Sequence, residues 1–204
     1  MNKKDIKKYL SRYNDRLQSF GYDPKSLGWG GGKERQNLRF ETTLNFKNFT
    51  SSSINTILDV GCGFGDLGYW LSTHFPDIHY TGIDINSNLI EIGKRRFGLN
   101  LYQKNNISDF KENSFDFVIS NGIFNAQLHH ENQLDYFENY LFSFHKICRV
   151  GFSCDFMSKY VDFKHPGSYH TKEQDVIDII KKFTKRYIIR NDYLDYEFMV
   201  YMFK

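Results

Sequence analysis

The 204-residue chain balances 27 Lys and Arg against 24 Asp and Glu, a formal net charge of +3, with 40% hydrophobic, 18% aromatic and 25% charged residues. This composition predicts one soluble domain, because domains commonly span roughly 100–200 residues. No apolar run approaches the ~20 residues of a bilayer span, and the charge is too small to demand a polyanionic partner, so neither membrane nor nucleic acid is expected.

In chain order, Met1 leads straight into charged, helix-like sequence without an apolar signal core. Ile6, Leu10, Tyr13 and Leu17 recur at helical spacing and predict an amphipathic helix ending near Gly21 that packs over the main domain. A glycine-rich joint, Gly28-Trp29-Gly30-Gly31-Gly32, precedes a second helix from Lys33 to about Phe46, and a polar loop follows at Thr50 to Ser53. Residues 1–50 therefore read as a helical extension or lid, and residues 51–204 as the main domain.

Strand and helix then alternate. Strands are predicted at Thr56–Val60, Ile78–Ile83, Leu99–Gln103, Phe115–Ser120 and Lys146–Cys154. Helices are predicted at Asp66–His74 and Ser87–Arg96, and on the stripe Leu134, Phe137, Leu141 and Phe144. Thr171-Lys172-Glu173-Gln174 reads as a capping box opening a helix with Val176, Ile177, Ile180 and Phe183 on one face. Two β-like runs, Arg186–Arg190 and Phe198–Phe203, are joined by Asn191 to Asp195, too short for a parallel crossover. The expectation is an α/β fold, a mostly parallel sheet closed by an antiparallel C-terminal pair.

Gly61, Gly63 and Gly65 follow the first apolar strand and precede a helix, where a doubly wound sheet turns tightly beside a bound nucleotide. Asp84 comes 23 residues after Gly61 at the end of the next strand, where a carboxylate can accept both ribose hydroxyls. A nicotinamide dinucleotide fingerprint wants its third glycine where this chain has Asp66, whose charge would repel a pyrophosphate. A cofactor with a cationic sulfonium and no phosphate suits the G-x-G-x-G spacing better.

Ile57-Leu58-Asp59-Val60-Gly61-Cys62-Gly63-Phe64-Gly65, followed by Tyr80-Thr81-Gly82-Ile83-Asp84-Ile85-Asn86, resembles motifs I and II of the class I, Rossmann-like S-adenosylmethionine-dependent methyltransferases, over residues 54–204. The resemblance implies a seven-stranded sheet of order 3-2-1-4-5-7-6 with the last strand antiparallel. It also implies S-adenosylmethionine as cofactor and S-adenosylhomocysteine as product. Asp59 and the loop residues Gly61, Cys62, Gly63, Phe64 and Gly65 would lie beside the methionine moiety, and Asp84 with Ile85 at the ribose. Asn106, where the family often has an acid, and Ile107 would border the adenine; a plain polar loop is the alternative for Asn105.

Asn121, in Ser120-Asn121-Gly122-Ile123-Phe124-Asn125 after the fourth strand, would stand beside the transferred methyl. No Asn-Pro-Pro-Tyr or Pro-Cys context favours methylation of adenine N6 or cytosine C5. Where the acceptor must lose a proton, His129 and His130 are candidate bases unless they are ordinary surface residues, with His165 and His170 behind them. Trp29, Gln36 and Arg39 offer an aromatic cover and donors for the methionine carboxylate, against a reading as ordinary helix surface. Neither the histidines and acids nor Cys62, Cys148 and Cys154 have metal-ligand spacing, so no metal is expected, and three reduced thiols fit a cytoplasmic protein.

The segment from Leu27 to Phe40 is similar to one ahead of motif I in some bacterial methyltransferases of capsule and other surface-saccharide modification. The expected activity is methyl transfer to oxygen or nitrogen of a small polar, saccharide-linked acceptor. The alternatives are an RNA or protein methyltransferase, an inactive cofactor-binding module acting through a partner, and a nicotinamide oxidoreductase.

Overall fold

Strand β7 (Glu197–Phe203) is buried along its whole length, and its side chains alternate between two cores. Phe198, Val200 and Met202 enter one, while Met199, Tyr201 and Phe203 enter the other. A strand of period two buried on both faces must be interior to a sheet covered on both sides. The computed structural model, which describes all 204 residues, has that form.

The other strands are β1 (Thr56–Val60), β2 (His79–Asp84), β3 (Leu101–Gln103), β4 (Phe115–Ser120), β5 (Cys148–Met157) and β6 (Tyr187–Arg190). They form one seven-stranded sheet in the order β3-β2-β1-β4-β5-β7-β6. β1 to β5 run parallel, and β7 inserts antiparallel between β5 and β6. The chain leaves β1 towards β2 on one side and returns to β4 on the other. This reversal opens a crevice at the carboxyl ends of β1 and β4, where open α/β sheets bind their ligands.

Helices α2 (Gly32–Leu44), α3 (Asp66–His74) and α4 (Ser87–Phe97) cover one face through Phe40, Leu44, Leu67, Leu71 and Ile90. Helices α5 (Gln133–Ile147) and α6 (Glu173–Ile180) cover the other through Phe137, Leu141, Phe144, Val176 and Ile180. Helix α1 (Lys3–Phe20) is capped by Asn2, whose side chain accepts from the Lys4 amide, and stops at Gly21 with φ +62°. Its stripe Ile6, Leu10, Tyr13 and Leu17 is only half-buried and joins neither core. The helix lies across the crevice instead.

Several element ends differ from the sequence expectation. α2 stops at Leu44 and tightens into a 3-10 turn, Asn45–Asn48. α5 continues to Ile147, so β5 starts at Cys148 and extends through Asp155 to Met157. In α5 Leu134 is 37% exposed, and Tyr136 takes the core position. The capping box does not form, because Thr171 bridges to Ser158 and Lys172 occupies the N-cap. Ile179 replaces Ile177 on the buried face of α6, and Phe183 follows the helix end. The three cysteines are free and buried, and no helix is long and apolar enough to cross a membrane.

Candidate active site

The turn after β1 is shaped by contacts that leave no space for side chains. The amides of Gly61 and Cys62 donate to the Ile83 carbonyl at 2.8 and 3.0 Å, folding the turn against β2. Gly61 has φ +79°, and a Cβ there would stand 2.2 Å from Cγ2 of Ile123; one on Gly63, with φ +57°, would stand 2.8 Å from Cδ2 of Leu27. Only glycine satisfies both the backbone and the packing.

Two carboxylates flank the turn. Asp84 Oδ2 accepts the Gly63 amide at 2.9 Å and Oδ1 accepts the Asn86 amide at 2.8 Å, which leaves lone pairs free on both oxygens. Burial pushes its carboxyl up, against the pull of those two N–H donors. Asp59, 2% exposed, accepts the Tyr80 hydroxyl at 2.7 Å. Burial, only partly offset by that bond, raises its carboxyl to about 7.

The far wall comes from β4, β5, β7 and α2. Asn121 Oδ1 accepts the Thr43 hydroxyl at 2.8 Å, while its buried Nδ2 has no partner. The next amide, Gly122, donates to Asp155 Oδ1 at 2.6 Å. Arg39 grips Glu197 with Nε and Nη2 at 2.7 and 2.6 Å and leaves Nη1 buried without a partner. Its guanidinium stacks 5.1 Å from the Trp29 ring centroid.

The extension forms the roof. Tyr9, Leu10, Tyr13, Leu27 and Trp29 face a cavity of about 370 Å³ that runs from Asp84 past Gly61 and Asn121 to Asp155, within the size range of small-molecule sites. Polar contacts pin it at intervals. Asp5 accepts the amides of His129 and His130, Asn14 accepts from the side chains of Asn86 and Asn88, and Asp66 receives the Tyr22 hydroxyl at 2.5 Å and Lys33 at 3.1 Å.

Of the residues singled out from sequence, Trp29, Gln36, Arg39, Asp59, Gly61, Cys62, Gly63, Asp84, Ile85, Ile107 and Asn121 line this one cavity. Phe64 is 1% exposed and packs behind the turn, and Gly65 caps α3; neither is part of the lining. Asn106 lies outside the lining: it is exposed, its side chain accepts from the Ser108 amide to cap a 3-10 turn, and its neighbours Lys104 and Asn105 reach the cavity. His129 and His130 are not brought to the cavity either. They sit exposed in the loop before α5, their amides tied to Asp5, outside the lining. His165 stands at the mouth, while His170 contacts the Ser158 carbonyl.

Sequence reasoning missed Asp155, Glu197 and Asp66. Ending the fifth strand at Cys154 and starting the last at Phe198 left Asp155 and Glu197 one residue outside their strands. The alternation of apolar and polar residues in Phe152-Ser153-Cys154-Asp155-Phe156 was the available signal. Asp66 stood out only as a departure from a dinucleotide fingerprint.

These residues fit S-adenosylmethionine. The side-chain-free turn leaves main chain bare for it, Asp84 has lone pairs for ribose hydroxyls, and Nη1 of Arg39 is an unspent donor for a carboxylate.

Residues 57–148 match the model of a methyltransferase domain. Among curated relatives, the ribosomal RNA small subunit methyltransferase C of Buchnera aphidicola is 37% identical over 86 residues, 40% of this chain and 25% of that protein. The malonyl-[acyl-carrier protein] O-methyltransferase of Acetivibrio thermocellus is 36% identical over 91 residues, 41% of this chain and 30% of that protein. The chain thus spans well under half the length of these relatives. The solved plantazolicin methyltransferase BpumL, in complex with a triazolic desmethylPZN analog and SAH, superposes with TM-score 0.65 at 15% identity, covering 100% of this chain and 99% of that one. Residues 57–148 thus carry a methyltransferase-domain match, on a sheet that has the class I, Rossmann-like methyltransferase fold.

Proposed function

We propose that the chain transfers a methyl group from S-adenosylmethionine to oxygen or nitrogen of a small polar acceptor, free or at the end of a larger molecule such as a saccharide. The carrying observation is a single cavity, roofed by residues 1–50, that joins Asp84 and the glycine turn to a polar wall at Asn121 and Asp155. S-adenosylmethionine supplies an electrophilic methyl on a sulfonium. Asp84 would hold the ribose, Asp59 and Arg39 Nη1 the methionine end, and Ile107 the adenine. Asn121 and the roof would orient the acceptor and exclude water, which is much of what an in-line displacement needs.

RNA is the second reading. It is favoured by Lys4, Lys7, Lys8, Arg12 and Arg16, which line a shallow groove along α1, and by the ribosomal RNA methyltransferases among the relatives. Radiolabelled S-adenosylmethionine offered with separate metabolite, saccharide and RNA pools tests the choice. Label in the small-molecule or saccharide pool supports the main reading, and label in RNA alone replaces it. Tight S-adenosylhomocysteine binding with label in no pool would instead mark a binding module.

A further inference from the structure

We propose that Asp155 is the proton acceptor for the methyl acceptor, and that this acceptor is an amine entering as its ammonium. The proposal rests on the reading of the cavity as a methyl-transfer site and names its substrate class.

Asp155 sits at the carboxyl end of β5, 1% exposed, on the wall of the cavity. Register places it one residue beyond the Ser120 and Cys154 pair, beside Asn121. The Gly122 amide holds Oδ1 at 2.6 Å. The following residue, Ile123, packs against Gly61 of the cofactor turn, which links Asp155 to the turn through two consecutive residues of one loop.

Its charge is unmatched. The nearby cation, Arg39, is committed to Glu197 through two nitrogens, and no ion pair forms on Asp155. A buried carboxylate without a cation is costly to the fold, and a cationic ligand removes that cost where a neutral hydroxyl does not. The groups facing it are Glu197 from β7, Arg39 from α2, Tyr193 from the loop before β7 and Cys154 from its own strand. Burial, reinforced by Glu197 and opposed by the Gly122 amide and Arg39, raises its carboxyl to about 7, a value suited to taking a proton near neutral pH. Trp29, Tyr9, Tyr13, Tyr140 and Phe163 line the same space and favour an ammonium with an apolar body.

The step balances. An ammonium N–H gives its proton to Asp155, leaving a neutral amine and a carboxylic acid. The freed nitrogen lone pair forms the N–C bond to the methyl as the C–S bond breaks, its electron pair staying on sulfur as a neutral thioether. The product leaves as a methylated ammonium, and Asp155 returns its proton to water.

Three calorimetric titrations test this with the full chain, using phenethylamine and its isostere 2-phenylethanol as probes. S-adenosylhomocysteine is titrated first; failure to bind would remove the methyl-transfer reading and the proposal with it. On protein saturated with S-adenosylhomocysteine, phenethylamine should bind at least tenfold tighter than 2-phenylethanol, and Asp155→Asn should erase that preference while changing S-adenosylhomocysteine affinity less than threefold. Methylation of phenethylamine should rise with pH through about 7 in the parent, and kcat/KM should fall a hundredfold or more in the variant. Equal or tighter binding of the alcohol, binding of neither probe, or a preference that survives Asp155→Asn would overturn the proposal. So would loss of S-adenosylhomocysteine affinity in the variant, since Asp155 would then belong to the cofactor.

Discussion

Asp84 accepts the backbone N–H of Gly63 at 2.9 Å, so the acid at the tip of β2 fixes the turn that follows β1. In this account one carboxylate both shapes the cofactor turn and holds the ribose. Asp84→Ala should weaken S-adenosylhomocysteine binding by about 1–3 kcal/mol, the loss of its hydrogen bonds, while leaving the far-ultraviolet circular dichroism intact. Asp84→Asn, which keeps an oxygen for Gly63, should lose less. Calorimetry reads both, and unchanged affinity in Asp84→Ala would place the ribose elsewhere.

Gly61 faces Ile123 as Gly63 faces Leu27, but at the shorter distance. Gly61→Ala should therefore cost more than Gly63→Ala. Beyond the roughly 1–2 kcal/mol of a left-handed backbone, it must displace the loop bearing Asn121. Its S-adenosylhomocysteine affinity should drop more than tenfold, and Ile123→Ala in the same chain should restore part of it. Normal binding by the single variant would show that the cofactor does not approach this turn.

Asp59 gives a pH dependence of stability. Burial raises its folded-state carboxyl to about 7 from an ordinary value near 3.8, so the fold favours the protonated form. That stability is full below about pH 4 and is lost as pH rises through 7. Asp59→Asn keeps an acceptor for the Tyr80 hydroxyl. It should exceed the parent in stability by on the order of 2–4 kcal/mol at pH 8, with little difference at pH 4. Urea titrations of the cofactor-free protein at the two pH values check this; a pH-independent difference would contradict it.

Arg39 and Glu197 are each 5% or less exposed and paired in fork geometry. Arg39→Ala should destabilise by about 3–5 kcal/mol, because it strands Glu197 as a buried charge. Replacing the pair together by Met and Leu should recover most of that loss. Chemical denaturation of the single and double variants measures it, and additive losses would show that the two residues act independently.

The parts of the molecule that were legible from sequence obey local rules. Strand order followed from the glycine turn, the acid after the second strand and the resemblance they carry, and the C-terminal antiparallel pairing from the short link between β6 and β7. The polar wall was hidden because it depends on where strands end. Asp155 follows the predicted end of one strand and Glu197 precedes the predicted start of another, each by one residue, and both pair with strands distant in sequence. The stripe of α1 announced a helix packed over the main domain, but helical spacing reports an apolar face without reporting what it covers, here the crevice. The loop histidines drew notice by their chemistry, yet it is their amides, held by Asp5, that the fold uses.

The most direct measurement is a crystal structure of the protein with S-adenosylhomocysteine. Ribose hydroxyls should sit on Asp84, main chain of Gly61 to Gly63 beneath the thioether, and the sulfur should face Asn121 and Asp155 under the roof of α1 and Trp29. Ligand density at another edge of the sheet, or a ribose out of hydrogen-bond reach of Asp84, would contradict this placement.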